Sequence, residues 1–345
     1  MVKLPIVKKS AYLIKDRLIR KYLTGIDIAE GYLVVDEEMA FFTDMRYYSA
    51  VEGALKGLGI KPQVLNGLDD IYTYLKSKKV KRLFIDFERT TVSEFIEYSE
   101  MNFKLYDCAK TLNDFRQIKS DKEIESIKRA CEITQKAVNF GIDNIKQGIT
   151  EKQLATLIED KMIELGADGT SFESIVAFSC NSAVPHHQTS DKVLEKGMVV
   201  LIDMGARKDG YSADITRTVY FGEPDKKFID CYQAVLTANQ TAIESIRVND
   251  SLKDCDAYAR NVLKEHGLAE YFTHSLGHGV GLEIHEEPRL SKKANGVIKN
   301  GMAFTIEPGV YFDGEFGIRI EDTVILKDDK VLRLFDDDKA LKIIR

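Results

Sequence analysis

The chain has 345 residues, 30% charged and 44% hydrophobic, a composition ordinary for a globular protein and a length that suits two cores better than one. Its net charge of −6 lacks the basic excess of a nucleic-acid binder. The start MVKLPIVKKS has no apolar signal core, and no apolar run approaches the ~20 residues of a membrane span. Five scattered cysteines, none in CxxC spacing, fit reduced thiols in a cytoplasmic protein.

In chain order, LVVDEEMAFFT predicts a hairpin, 45–58 and 71–78 predict helices, and PQVLN, RLFIDF and FKLYD predict strands. This alternation predicts a small α/β layer domain over 1–112, with Asp44 and Arg46 as a structural pair inside it and the 76–79 lysine cluster on a solvated face. No Pro/Gly/Ser linker follows, so a second domain, 113–345, begins directly. It opens with Ile124, Ile127, Ala130, Ile133 and Ala137 at helical spacing. A second helix starts at Thr150, where TEKQ forms a capping box, and ends near Gly166. Extended segments IVAF, MVVLIDMG and TVYFG come next. The order then repeats, with helices at 227–246 and 252–266, the latter stopped by Gly267, and extended segments AFTIEPGVYF and GIRIEDTVIL. Two halves, each a helix pair followed by strands, predict an α+β domain with an internal pseudo-twofold.

Five residues carry the chemistry: Asp203 and Asp214 in LIDMGARKDGYSADITRT, His278 in HSLGHGVGLEIHEEP, Glu307 in FTIEPGVYF and Glu321 in GIRIEDTVIL. Each lies in an apolar, β-branched or Gly-rich setting where an unpaired charge is costly to bury. Each half supplies two carboxylates, a natural way to hold two divalent cations. Oxygen ligands with one imidazole suit Mn, Co, Zn or Fe. Two such ions sharing bridging carboxylates and a bridging hydroxide would supply a nucleophile near neutral pH. Hydrolysis also needs a proton shuttle and donors for the developing oxyanion. His285, His186 in AVPHHQ, and Glu307 as both ligand and general base are the candidates. One imidazole from the AVPHHQ turn suffices, so His187 is left without a role. His274 is a candidate rim residue, and His266 sits favourably at a helix C-terminus.

The motifs NSAVPHH (181–187), DMGARKDGYSADITRT (203–218), HSLGHGVGLEIHEEP (274–288), EPGVY (307–311) and GIRIEDT (317–323) resemble those of the pita-bread metallopeptidases, proline-specific branch, the group of aminopeptidase P and prolidase. FRQIKSDKEIESIKRA resembles the first helix of that catalytic domain, and YLTGIDIAEGYLVV and FFTDMRYYSA the family's small creatinase-like N-terminal domain. The resemblance implies a pita-bread catalytic domain and hydrolysis of the Xaa-Pro bond at the N-terminus of dipeptides or short peptides. It implies Asp203 on one metal, His278 and Glu307 on the other, and Asp214 and Glu321 bridging. His186 and His285 would contact the substrate, and Arg319 would stand behind the carboxylates. Mn or Co are the expected ions, with Zn or Fe as alternatives, and a homodimer the expected assembly. A methionine-type aminopeptidase and an inactive peptide-binding module are the other readings. The chain departs from the family pattern at Ser179-Cys180, where the resemblance implies usually a Gly and often a Pro before the Asn, and in its ending RLFDDDKALKIIR.

Overall fold

The computed structural model describes residues 3–345 and divides into two compact units, Met1–Phe115 and Arg116–Arg345. Among the described residues no helix is long and apolar enough to cross a membrane, and all five cysteines are free, four of them buried.

The first unit is an α/β layer. Its strands are β1 (Ser10–Ile14), β2 (Tyr32–Val35), β3 (Met39–Thr43), β4 (Ile60–Val64), β5 (Arg82–Ile85) and β6 (Lys104–Asp107), in the order β4-β3-β2-β1-β5-β6. Between them run α1 (Arg17–Thr24), α2 (Met45–Leu55), α3 (Leu68–Ser77), α4 (Val92–Glu100) and α5 (Ala109–Gln117). Successive strand side chains alternate between faces, and both faces are covered. Tyr12, Ile14, Leu33, Val35 and Phe41 pack with Ile19, Leu23, Val51 and Leu55, whereas Ala11, Leu13, Val34, Ala40 and Phe42 pack with Ile71, Leu75 and Tyr98. β2 and β3 form the expected hairpin. Asp44 caps α2 through the Arg46 backbone N–H and pairs with the Arg46 guanidinium at 2.7 Å. The helix expected through residue 58 stops at Leu55, with Gly57 at φ 85° just beyond. The motif reading had no place for β1 or α4. The SAYLI strand is buried along its whole length and shows no alternation, and α4 leaves Val92, Phe95 and Ile96 exposed, which blurs its helical stripe.

The second unit opens with α6 (Asp121–Asp143) and α7 (Glu151–Glu164), each begun by a complete capping box, Ser120 with Glu123 and Thr150 with Gln153. After β7 (Gly169–Thr170) and β8 (Ile175–Phe178) comes a 3-10 turn, Ser179–Ala183. Then follow β9 (Met198–Met204), β10 (Ala206–Lys208), β11 (Tyr211–Ser212) and β12 (Ile215–Phe221). The second half has α8 (Lys226–Ser245), α9 (Leu252–Glu265), β13 (Gly277–Gly279), β14 (Glu286–Leu290), β15 (Ala303–Ile306), β16 (Gly309–Phe312), β17 (Phe316–Arg319), β18 (Asp322–Lys327) and β19 (Lys330–Arg333). β20 (Ile343–Ile344) closes the chain. The sheets run β20-β12-β9-β8 and β14-β13-β15-β18-β19. The pseudo-twofold is plain in them: an antiparallel pair, β9 with β12 or β15 with β18, interrupted by a hairpin, β10–β11 or β16–β17.

AFTIEPGVYF and GIRIEDTVIL, expected as continuous extended segments, are each broken in two. Pro308 has no N–H for the ladder, and the chain steps from β15 to β16 around Glu307-Pro308. It steps from β17 to β18 around Ile320-Glu321. Both breaks release a carboxylate from the sheet.

The ending also has a structural place. Asp322, fully buried, accepts from Arg217 Nη2 at 2.9 Å, Lys339 Nζ at 2.6 Å and Arg333 Nη2 at 3.3 Å, and Asp337 accepts from Arg217 Nε at 2.7 Å. The 333–339 segment is thereby tied to β12 and β18. Burial alone would push the Asp322 carboxyl up; Arg217, Lys339 and Arg333 overcome that and hold it well below the usual range. A carboxyl depressed in the folded chain adds stability above the unfolded aspartate value of ~3.9, and loses it as pH falls from there toward its folded pKa. Asp322→Asn is expected to cost about 3 kcal/mol or more at pH 7, because it strands buried cations. It should also flatten the fall in melting temperature below pH 4; equal pH slopes in the two proteins would contradict this.

Candidate metal centre and active site

The four sequence-predicted carboxylates come from equivalent places in the two halves. Asp203 is the penultimate residue of β9, and Glu307 immediately follows β15. Asp214 immediately precedes β12, and Glu321 immediately precedes β18. Strand pairing puts the ends together, Met204 opposite Ile215 and Ile306 opposite Asp322. His278 sits in the middle of β13, between Gly277 and Gly279. A Cβ at Gly277 would lie 2.0 Å from the Thr305 carbonyl oxygen, so only glycine lets the strand come this close. His278 Nδ1–H donates to the Gly279 carbonyl at 3.0 Å. That fixes the tautomer and turns the Nε2 lone pair inward, 3.5 Å from both Asp214 Oδ2 and Glu307 Oε1. Asp214, His278 and Glu321 offer ligand atoms all within 4.8 Å of one another.

This is a crowd of acids with one cation behind it. Arg319, 4% exposed, donates Nη2 to Asp203 Oδ2 at 2.5 Å, Nε to Thr216 Oγ1 at 2.9 Å and Nη1 to Tyr311 Oη at 2.8 Å. Thr216 Oγ1 donates in turn to Glu321 Oε2 at 2.5 Å, and Thr305 Oγ1 donates to Glu307 Oε1 at 3.2 Å. These donors fall short. Burial, then the neighbouring negative charges, drive the Asp214 and Glu321 carboxyls well above their usual range, and burial lifts Glu307 too. Asp203 Oδ1 and Glu321 Oε1 are buried without any hydrogen-bond partner among the described residues. Such atoms are expensive to leave bare. Four carboxylates and one imidazole with its lone pair free form a donor set suited to borderline or hard divalent cations, so the residues fit the metal ions the sequence implied.

The cluster opens on a cleft of about 310 Å³. All nine residues singled out from sequence line it: Asp203, Asp214, His278, Glu307, Glu321, His186, His285, His274 and Arg319. The His285 ring stands edge-on to His278, centroids 4.3 Å apart. Burial, then the His278 and Arg289 charges, pull its pKa down to about 4, so it is neutral at pH 7. His274 is pulled down to about 3 by burial and then Arg319. Its Nδ1–H donates to the Ser275 carbonyl at 2.8 Å and its Nε2 accepts from Tyr311 Oη at 2.9 Å. The His285 turn is pinned by Glu286, whose carboxylate takes Lys119 Nζ and Arg116 Nη2 at 2.5 Å each.

Several participants had no sequence signal strong enough to name. Thr216, Thr305 and Tyr311 act through contacts with distant segments. Arg289 lines the cleft and is paired with His278 across β13 and β14; a cation that close in HEEPRL was the available clue. His187 turns away to Glu151 at 2.9 Å, and the exposed Cys180 accepts from Lys192 Nζ at 3.2 Å. Ser179 has φ 53°, the left-handed region that favours Gly.

Buried acids that lack donors, beside neutral imidazoles in an open cleft, are the equipment of a metal-dependent hydrolase. Residues 125–328 match the model of metallopeptidase family M24, and 8–118 that of the creatinase/prolidase N-terminal domain. The chain is 38% identical over 324 residues to a Xaa-Pro dipeptidase of Pyrococcus furiosus, covering 93% of this chain and 91% of that one. Its fold superposes on a Xaa-Pro dipeptidase from Bacillus anthracis with a TM-score of 0.93 at 32% identity, covering 97% and 95% of the two chains. It superposes on an X-Pro aminopeptidase from Thermotoga maritima with a TM-score of 0.90 at 34% identity, covering 97% of each. The chain therefore belongs to metallopeptidase family M24, and it is a peptidase.

A cation that binds the folded chain alone stabilises it by mass action. Adding Mn²⁺ or Co²⁺ to chelator-treated protein is expected to raise the melting temperature, and to do so less at pH 5 than at pH 8. The sign follows from the raised carboxyl pKa values: at low pH, protons compete for the same oxygens. A melting temperature indifferent to these ions at pH 8 would exclude the centre.

Proposed function

We propose that this peptidase is a Xaa-Pro dipeptidase holding two divalent cations, Mn or Co, on Asp203, Asp214, His278, Glu307 and Glu321. The observation that carries the reading is the convergence of five ligating side chains, two of them with bare buried oxygens, on a cleft that also presents His285, His186 and Arg289. The names of the similar proteins from Pyrococcus and Bacillus support the substrate class.

Bound there, divalent ions would supply Lewis acidity toward the scissile carbonyl and lower the pKa of a water. The chain's own residues do the rest. Glu307 Oε1 is tied to Thr305, and its other carboxylate oxygen would take a proton from the attacking water and return it to the leaving nitrogen. The nitrogen leaves as a neutral amine and not as a strongly basic anion, so that returned proton is essential to its departure. Neutral His285 can donate N–H to the carbonyl oxygen as charge builds on it, without bringing a competing full charge. His186 faces the same cleft for a second contact. Phe172, Ile175, Pro185 and Ile284 give the pyrrolidine ring an apolar wall. Arg289 offers a guanidinium to the free carboxylate of a dipeptide; a longer peptide would bring only a neutral peptide group to that place. The assembly is a homodimer in this reading, with light scattering expected to give twice 39.0 kDa across a dilution series and a monomer mass sufficient to reject it.

The metal-loaded enzyme is expected to cleave Ala-Pro faster than Ala-Pro-Ala and to leave Ala-Ala nearly untouched. Arg289→Ala should raise KM for Ala-Pro about tenfold, the order of one charge-assisted contact, with little change for Ala-Pro-Ala. Equal loss on both peptides would remove the dipeptide assignment. His285→Ala and His186→Ala should each lower kcat by about 10²-fold or more while elemental analysis still finds the metal. Metal loss in either variant would make that histidine a ligand instead.

A further inference from the structure

We propose that Glu151 is a positioning residue for His186, holding the 178–190 loop through His187, Ser190, Asn181 and the Phe178 backbone. The inference rests on the reading of His186 as a substrate contact.

Glu151 is the first residue of α7, and its side chain is fully buried. The proposed reaction does not use it. Its two oxygens nonetheless accept five hydrogen bonds, all from one stretch of chain. Oε1 takes the Phe178 N–H at 2.7 Å and Asn181 Nδ2 at 2.8 Å. Oε2 takes the Ser190 N–H at 2.9 Å, Ser190 Oγ at 2.6 Å and His187 Nε2 at 2.9 Å. The first turn of the helix adds backbone bonds to the same stretch, the Glu151 N–H to Lys192 O and the Lys152 N–H to Ser190 O, each 3.1 Å. One carboxylate thus gathers the start, middle and end of the loop. Burial pushes that carboxyl up; the bonds from Ser190, His187, Phe178 and Asn181 outweigh it and hold the carboxyl below its usual range. The positive end of the helix dipole works in the same direction.

The loop needs such an anchor because it has little regular structure. After the 3-10 turn it follows no strand until β9 at Met198. On its other side Ser182 Oγ accepts the Gly317 N–H at 2.8 Å, and a Cβ on Gly317 would lie 2.0 Å from Ser182 O. The loop is therefore held by α7 on one side and β17 on the other. Between those two holds it presents Pro185 and His186 to the cleft. His186 makes no side-chain hydrogen bond of its own among the described residues, so its ring inherits its place from the backbone that Glu151 fixes. The neighbouring His187 supplies the nearest of those anchors. A displacement of about 1 Å at a reacting geometry can cost 10²-fold in rate, so a carboxylate that never meets the substrate can still set the turnover.

The test is a double-mutant cycle on the metal-loaded enzyme with Ala-Pro, recording kcat, KM, metal content and melting temperature. Glu151→Gln turns an amide toward donors and risks misfolding, so the cycle uses His187→Phe, which removes one of five donors and keeps a ring. His187→Phe is expected to lower kcat about tenfold with KM and metal content unchanged. His187→Gln, which restores a donor, is expected to recover most of that loss. In a His186→Ala background His187→Phe should cause no further fall, because its effect passes through His186. A fall of the same size in that background, or normal kcat in His187→Phe itself, would overturn the positioning role while leaving His186 as a substrate contact. Normal kcat in His186→Ala alone would remove the His186 assignment, and this inference with it.

Discussion

The catalytic domain is organised around an electrostatic debt that protein groups leave unsettled. Four carboxylates, Asp203, Asp214, Glu307 and Glu321, converge on His278, with Arg319 as the buried guanidinium among them. Arg319 is fully engaged by Asp203, Thr216 and Tyr311, so it orients part of the cluster rather than neutralising it. Two oxygens stay bare. A sheet of Val, Leu and Ile cannot tolerate that arrangement fully ionised, and the remaining charge balance comes from protons or from bound cations. Ligand binding and folding are then linked in this domain.

The pseudo-twofold explains how such a cluster is assembled and why it is chemically lopsided. Each half delivers one carboxylate where a strand ends and one where its antiparallel partner begins, with a hairpin between. The imidazole has no twin. Ile175 lies opposite Asp203, as the Glu307 N–H meets the Leu276 carbonyl. Two residues on, Ala177 occupies in the first half the place of His278 in the second. The side lacking an imidazole is the side where Arg319 leans on Asp203. The two sides of the cluster therefore differ in donor type and in nearby charge, although they are built on the same strand pattern.

Much of this was legible in the sequence, and the part that was not has a common cause. Capping boxes, the β2–β3 hairpin and the repeated helix-pair pattern depend on neighbours a few residues apart, so Thr150 with Gln153 could be read directly. The five acidic and imidazole residues of the centre were legible because charged groups in apolar, glycine-rich segments have few bland explanations; His186, His274 and His285 were named from their nearness to these in sequence, and Arg319 from the family resemblance. The strand breaks at Glu307 and Glu321 were missed, because apolar runs of this kind read as continuous until pairing partners are known. Thr216, Tyr311 and Arg289 were missed because their roles exist only between segments brought together by the fold. Glu151 was read as part of a capping box; its burial and its five donors lie 27 to 39 residues downstream. Nothing local distinguishes it from an exposed first-turn glutamate that favours the helix dipole. The tail 336–339 looked featureless for the same reason, since its partners Arg217 and Asp322 belong to other strands.

The two cleft histidines, His186 and His285, pose a different physical problem from the residues of the acidic cluster. His278 is held by β13, and the carboxylates by strand ends, so sheet geometry keeps them in place. His186 and His285 both stand on irregular turns at the cleft, where backbone ladders are absent and mobility is the default. In each case a buried glutamate closes the turn: Glu151 beneath the 178–190 loop, and Glu286 beneath the turn carrying His285. Glu286 lies so close that a Cβ on Gly281 would fall 2.5 Å from its carboxylate oxygen. Arg116 and Lys119, 3% and 5% exposed, hold that second carboxylate. Carboxylates suit the task because each can collect several donors from scattered points of a loop, which no apolar contact can do directionally. The acids at the centre are short of donors and await cations, whereas the acids under the histidines are saturated with donors and await nothing. That contrast in satisfaction separates side chains built to bind from side chains built to hold still.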